Sequence, residues 1–227
     1  MSFFQPKIMQ WSYSRLKTWE ECPLKAKFKF VNKIKEPDSP HANRGLEIHK
    51  QSANFLTTPD HPLPETLHNL KDVMHNLRTP AVKAELQVAF DKDWNRVEWF
   101  GPTVYVRIVY DILAVDAPYA YVADLKTGKM REEEHLDQLG LYAVGVLAEH
   151  KEVEDVETAV LYADHPMQQH KNPLKKEYSR KDFDKLRSQW EERAGKMLND
   201  DIFAPRPGHY CRWCSYSKQR GGACPVN

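Results

Sequence analysis

Asp124-Leu125-Lys126 is the stretch of this sequence with the most chemical meaning. On a strand, residues two apart point to the same side, so Asp124 and Lys126 project together. Val122 shares that side, while Tyr121, Ala123 and Leu125 cover the other. A charged pair ending an apolar strand calls for a reason, because burying charge is costly unless it is paired or binds a metal. A strand-end ion pair is one such reason. Asp111 offers another, since it interrupts the apolar run Val104 to Val115 near its middle. If the two runs pair antiparallel across the Asp116–Ala120 turn, Asp111 and Asp124 converge. Two carboxylates beside a lysine suit a hard divalent cation that keeps several water ligands. Mg²⁺ or Mn²⁺ there would polarise a phosphodiester and acidify a bound water. Lys126 would orient the nucleophile or stabilise the developing charge.

Other residues carry weaker signals singly. Gln138 and Tyr142 lie one helical turn apart on a shared face, as a substrate-facing pair or as a core tyrosine beside a solvated glutamine. His49, in Gly45-Leu-Glu-Ile-His49, is either a metal ligand or an ordinary helical histidine. Glu85, on the polar face of a strand, reads as a surface glutamate before an auxiliary acid. His68, His75 and His135 have no partner pattern and are expected at the surface. Four cysteines form a second group: Cys22-Pro23 near one end, then Cys211-Arg-Trp-Cys214 and Cys224-Pro225 near the other. Cys-x-x-Cys with Cys-Pro is ferredoxin-like, and four thiolates complete a cubane cluster. A structural Zn²⁺ site competes with that reading, as do free buried thiols. Nine residues separate Cys214 from Cys224, with Gly221-Gly222 supplying slack.

The elements that must position these groups follow from periodicity. Ser12 or Ser14 can cap a helix through Glu21, which Pro23 breaks or restarts. Pro37 to Pro40 is a turn, and Asn43 to Leu56 a second helix carrying His49. Glu65 to Arg78 reads as a third, with Leu67, Leu70, Val73, Met74 and Leu77 on one face. Strands are expected at Val82 to Phe90, Trp94 to Phe100, Val104 to Val115 and Tyr121 to Lys126. A helix from Glu132 to Glu149, a strand from Val156 to Tyr162 and a helix from Arg180 to Leu198 follow, then the cysteine tail. A mixed α/β sheet flanked by helices fits this order.

Composition sets outer bounds. The 227 residues are 41% hydrophobic, enough for a real core, and the net charge of +1 argues neither for nor against nucleic acid. Lysines cluster at Lys25, Lys27, Lys29, Lys33 and Lys35, and again from Lys171 through Lys175, Lys176, Arg180, Lys181 and Lys185. Each cluster is a solvated face or a rim that tracks phosphates. No stretch reaches the roughly 18 apolar residues of a membrane span, and the N-terminus lacks a cleavable leader pattern. A cytoplasmic protein is expected, where thiols serve metals rather than disulfides.

Taken in order, Gly-x-x-x-His, an Asp within an apolar strand, Asp-x-Lys-Thr-Gly and Gln-x-x-x-Tyr resemble the RecB-type exonucleases of the PD-(D/E)XK superfamily, which include CRISPR-associated and AddAB-like enzymes. Gly45 and His49, Asp111, Asp124 with Lys126 to Gly128, and Gln138 with Tyr142 carry the match, and Ser12 to Leu16 with Cys22-Pro23 resembles the family's opening helix. The resemblance implies a restriction-endonuclease-like core over 61–165. It also implies an N-terminal helical segment over 1–60, and a C-terminal helix and cluster tail over 166–227. His49, Asp111, Asp124 and the Leu125 carbonyl would hold the metal, Lys126 would be catalytic, and Gln138 and Tyr142 would contact substrate. Cys22, Cys211, Cys214 and Cys224 would hold a 4Fe–4S cluster that closes a loop of nearly the whole chain. The implied activity is hydrolysis of DNA from single-stranded ends, with bases stacking on aromatics such as Trp11, Trp19, Tyr142 or Trp213. A catalytically weak DNA-binding subunit of a recombination or CRISPR complex, with protein partners, is the alternative, and a phage origin fits either. One departure is Arg107-Ile-Val-Tyr110, where relatives often carry glycine, so Arg107 and Tyr110 are expected to alter the approach of DNA.

Overall fold

The computed structural model describes residues 7–37, 39–167 and 172–226. The first six residues, Asp38 of the Pro37–Pro40 turn and Lys171 of the second lysine cluster lie outside them. Residues Ser39–Ser188 make one compact unit, and the described parts of Met1–Asp38 and Gln189–Asn227 make another.

In the larger unit, α3 (Pro40–Thr57) starts with proline at its first turn, where a missing N–H costs nothing. The expected third helix divides at Leu70 into a 3-10 segment (Glu65–Leu70) and α4 (Lys71–Leu77). Six strands follow: β1 (Val82–Phe90), β2 (Arg96–Val97), β3 (Val106–Asp116), β4 (Tyr119–Lys126), β5 (Asp155–Tyr162) and β6 (Leu174–Ser179), with α5 (Glu132–Glu149) between β4 and β5. They form one mixed sheet in the order β2-β1-β3-β4-β5-β6. Among the described strands only β4 and β5 run parallel, and α5 is the crossover that a parallel pair requires. The fold is therefore α/β, a mixed sheet flanked by helices, as the element order implied.

Two strands depart from expectation. β6, Leu-Lys-Lys-Glu-Tyr-Ser, is mostly charged and has an edge position, so only Leu174 and Tyr178 point inward and the apolar signal is faint. The Trp94–Phe100 strand shrinks to Arg96–Val97. Asp91 accepts hydrogen bonds from the N–H groups of Asp93 and Asn95, both at 2.9 Å, which commits the chain to a turn there.

Ile48, Phe55 and Leu56 of α3 pack with Leu67, Leu70 and Met74 against Val82, Ile112, Ala123, Leu125 and Leu161 of the sheet. From Leu139 onward α5 is buried on nearly every side. At Gly145 a Cβ would come within 2.3 Å of the Tyr110 hydroxyl, so glycine lets α5 sit directly on β3. Among the described residues, no helix is long and apolar enough to cross a membrane.

The smaller unit opens with Ser12, whose Oγ accepts from the Arg15 N–H at 3.4 Å and caps α1 (Tyr13–Glu21). After Cys22, Pro23 restarts the chain as α2 (Pro23–Ala26) and a π-helical turn (Lys27–Val31). Trp11 stacks on Trp190 at 6.1 Å, and the Trp190 position belongs to α6 (Phe183–Leu198).

Candidate active site

Register builds the centre of the larger unit. In the β3–β4 ladder Ile112 faces Ala123 and Leu113 faces Val122, so the next pair is Asp111 and Asp124. In the β1–β3 ladder Ala84 faces Ile112 and Leu86 faces Tyr110, which sets Glu85 across from Asp111. Three acidic residues thus occupy one row across three neighbouring strands. Glu85 has φ +50°, a left-handed backbone that a non-glycine residue adopts at a cost and that clusters at functional sites. Above the row, α3 lowers His49. Its Nδ1 lies 3.2 Å from Glu85 Oε1 and 3.4 Å from Asp111 Oδ1. Ligand atoms of His49, Glu85 and Asp111 all fall within 4.8 Å of one another, so this trio could hold a metal ion.

The sequence ranked Glu85 as a surface glutamate, and it is exposed, yet it stands beside His49 and Asp111 where an auxiliary acid would be placed. Nothing in its local pattern marked it. Only the strand register, one position out of phase with the apolar alternation, could have done so.

Charge is tightly balanced here. Asp124 is 1% exposed and Asp111 9%. Burial pushes the Asp111 carboxyl above its usual range, the Asp124 charge adds to that, and His49 opposes it. Burial works against a charged His49, yet hydrogen bonds from its ring to Asp111 and Glu85 prevail and push its pKa up to about 10. Burial likewise opposes charge on Lys126, and Asp124 and Asp111 outweigh it, so the ammonium is held above its ordinary value. Lys126 Nζ approaches Asp124 Oδ2 to 2.6 Å. That contact pairs the buried Asp124 carboxylate with the Lys126 ammonium, so the aspartate keeps a counter-charge in the absence of an ion. A histidine with neighbouring carboxylates is a donor set that a hard cation can take.

A second layer holds the row. Asp111 Oδ2 accepts from the Leu125 N–H at 2.7 Å, locking β3 to β4 at the site. The Tyr142 hydroxyl donates to Asp124 Oδ1 at 3.1 Å and accepts from Gln138 Nε2 at 2.7 Å. Gln138 and Tyr142 thus meet on the shared helix face that their spacing implied, and Tyr142 reaches the Asp124 carboxylate. The turn after Lys126 is clamped too. Gly128 N–H donates to Asp164 Oδ2 at 2.6 Å, Arg44 of α3 grips the same carboxylate, and Gly45 stands beside Thr127. The Gly45 and His49 segment and the Lys126–Gly128 segment are thus neighbours.

Several expected positions need correction. His135 is buried rather than superficial, with Nδ1 2.8 Å from the Tyr162 hydroxyl. Burial and the nearby Lys126 lower its pKa. Trp11, closed against Trp190, cannot meet a base, and Tyr142 is 4% exposed. Tyr110 packs beneath α5 and is not on a surface DNA could reach, whereas Arg107 is half-buried and reachable. Of the lysine clusters, Lys25, Lys29 and Lys175 are paired with Glu21, Glu36 and Glu157. Arg180 caps the end of α5 through the carbonyls of Leu147, His150 and Val153.

All four cysteines belong to the smaller unit, and none is in a disulfide. Cys22 sits in the break between α1 and α2, and its Sγ accepts from the Arg206 N–H at 3.4 Å. Cys211 Sγ accepts from the Gly208 N–H at 3.3 Å. Burial raises the Cys214 thiol pKa, against the Tyr216 N–H and Lys25, and both Cys22 and Cys211 lie near enough to disfavour its ionisation further. Cys224 N–H donates to the Tyr216 carbonyl at 2.8 Å. Gly222 makes that return possible, since a Cβ there would come within 2.3 Å of the Tyr216 backbone. The two glycines form a tight turn rather than slack. The Tyr210 hydroxyl donates to the Glu21 carbonyl at 2.7 Å, tying the segment before Cys22 to the segment before Cys211. Backbone N–H groups thus point at three of the sulfurs, the kind of surrounding hydrogen bond that orients a sulfur ligand.

The sequence matches the PD-(D/E)XK nuclease superfamily over residues 10–219. No curated protein matches it. Among solved structures it is similar to the protein SSO0001, with 16% identity and a TM-score of 0.48, covering 97% of this chain and 87% of that one. It is similar also to a candidate exonuclease from Eubacterium rectale, with 12% identity and a TM-score of 0.48, covering 96% and 91%.

Proposed function

The chain belongs to the PD-(D/E)XK nuclease superfamily, and from that premise we propose that it is a divalent-metal-dependent deoxyribonuclease of the RecB-type exonuclease branch. The observation that carries this reading is the acidic row Glu85, Asp111 and Asp124 with His49 above it and Lys126 beside it. His49, Glu85, Asp111, Asp124 and the Leu125 carbonyl would hold Mg²⁺ or Mn²⁺. When bound, the ion supplies polarisation of a phosphoryl oxygen and an acidified water. The rest falls to the chain. Lys126, kept protonated by its two aspartates, presents a cation where negative charge develops on phosphate. Tyr142, braced by Gln138, fixes the Asp124 carboxylate from the buried side, and the half-buried Gln138 is the member of the pair that would border the substrate. The Leu125 N–H holds Asp111 in its rotamer, so the ligands are positioned before anything binds.

The same reading places a structural 4Fe–4S cluster on Cys22, Cys211, Cys214 and Cys224, with Zn²⁺ as the competing occupant. Support comes from the backbone N–H groups directed at Cys22, Cys211 and Cys214. The substrate is DNA with a free single-stranded end, in a cytoplasmic setting. End-labelled linear strands should be degraded in Mg²⁺ or Mn²⁺, while covalently closed single-stranded circles of the same sequence persist. Equal rates on both would show an internal cutter, and no cleavage of either would refute the enzymatic reading. Brown protein with iron and labile sulfide supports the cluster, and colourless protein with one zinc supports its competitor.

A further inference from the structure

We infer that Trp99, Phe100 and Arg107 form a stacking platform for the bases of a single DNA strand, a substrate subsite separate from the acidic row. The inference rests on the nuclease reading above and specifies where the strand runs. Phe100 is 87% exposed, the most exposed large apolar side chain among the described residues. Arg107 of β3 lies 5.2 Å from the Trp99 ring and 5.7 Å from the Phe100 ring, and its Nε donates to the Trp99 carbonyl at 2.9 Å. A guanidinium fixed against two rings offers π-faces and a positive charge at one spot. Bases recognise the first and phosphates the second.

The sheet leads from this platform to the acidic row. Ala89 pairs with Val97 on one side and Arg107 on the other, and Gln87 pairs with Val109. Cross-strand partners share a face, and here it is opposite to the one where Ile108 and Tyr110 meet Gly145 of α5. A groove of about 650 Å³ opens there, lined by Gln87, Ala89, Val97 and Trp99 among others. Gln87 is two residues from Glu85 along β1, and Arg107 four residues from Asp111 along β3. At roughly 3.3 Å per residue the platform lies about 13 Å from the row, within reach of a strand of a few nucleotides. A duplex hides its base faces, so the platform selects unpaired bases.

Binding of an end-labelled single strand by the whole protein, measured in EDTA so that nothing is cut, tests this. Phe100→Ala, at an exposed position that leaves the fold intact, should weaken binding about fivefold to 150-fold, the size of one lost base stack. Phe100→Trp should restore it, and a blunt duplex of equal length should be indifferent to both changes. In the wild type a single abasic position should produce a similar loss, with no further loss in Phe100→Ala. Unchanged binding by Phe100→Ala, or an abasic penalty that persists undiminished in that variant, would overturn the platform. Cleavage of the same strand by wild-type protein in Mn²⁺ reads the nuclease proposal separately, since it survives if only the platform fails.

Discussion

The acidic row and the cysteine group gather residues from distant parts of the chain by opposite means. Asp111, Asp124 and Glu85 are aligned by ladders of backbone hydrogen bonds, so regular structure sets their spacing and side chains only finish it. The cysteines lie on irregular backbone: a helix break, a short 3-10 turn, and a return held by Gly222. In the first region the ladders alone set the backbone. In the second, on the proposed reading, the cysteines and the group they would hold contribute to the scaffold. A change in the row should therefore strike chemistry, and a change among the cysteines should strike stability.

The sharpest contrast is expected from Asp124→Ala and Lys126→Ala. Either should lower the cleavage rate by about a thousandfold or more, the order seen when a group stabilising transition-state charge is lost. Thermal unfolding should stay near that of the wild type. Cys22→Ser should reverse the pattern. Removing one ligand of a site that closes a very long loop is expected to cost about 2–5 kcal/mol by analogy with disulfides. Melting temperature should fall and visible absorption fade, while Mn²⁺ affinity of the folded fraction is retained. A Cys22→Ser protein of full stability but no activity would break the comparison.

Smaller effects sharpen it. Glu85→Gln should weaken Mn²⁺ binding about tenfold, read by calorimetry, because it leaves one carboxylate fewer in the trio. An unchanged affinity would leave Glu85 as a surface glutamate with no part in the metal site. The smallest effect concerns pH. Arg44 holds the Asp164 carboxyl below its ordinary range through their hydrogen bond. A depressed carboxylate contributes stability that is complete above its unfolded pKa and is lost as pH falls through the folded value. The window thus begins near pH 4 and extends downward. Arg44→Gln should flatten the acid limb of the stability curve there, modestly, since the pair is largely exposed to solvent. An identical acid limb in both proteins would remove the clamp from the account.

The sequence disclosed the two regions unevenly. Asp111 and Asp124 were legible because each interrupts an apolar strand, and an antiparallel turn between those strands fixes their convergence. The cysteines stood out by their spacing, and the structure places Cys22 and Cys211 near Cys214. Glu85 showed only as an exposed residue of a half-buried strand, because its left-handed backbone and its nearness to His49 leave no trace in residue type. His135 escaped because burial of a lone histidine depends on Tyr162, a partner on another strand. β6 was hidden by its charges, and the shortened β2 by a side chain, Asp91, that competes with the ladder for backbone N–H groups.

The most direct test of the central claim is strand cleavage as a function of Mn²⁺ for the wild type and Asp111→Asn. Asp111 joins every part of the site, through His49, Leu125 and its register with Asp124 and Glu85. The expected result is no cleavage by either protein in EDTA and saturable cleavage by the wild type in Mn²⁺. Asp111→Asn should show a far lower maximal rate and a half-saturation shifted to higher Mn²⁺. Metal-independent cleavage, or superimposable Mn²⁺ curves for the two proteins, would contradict the account.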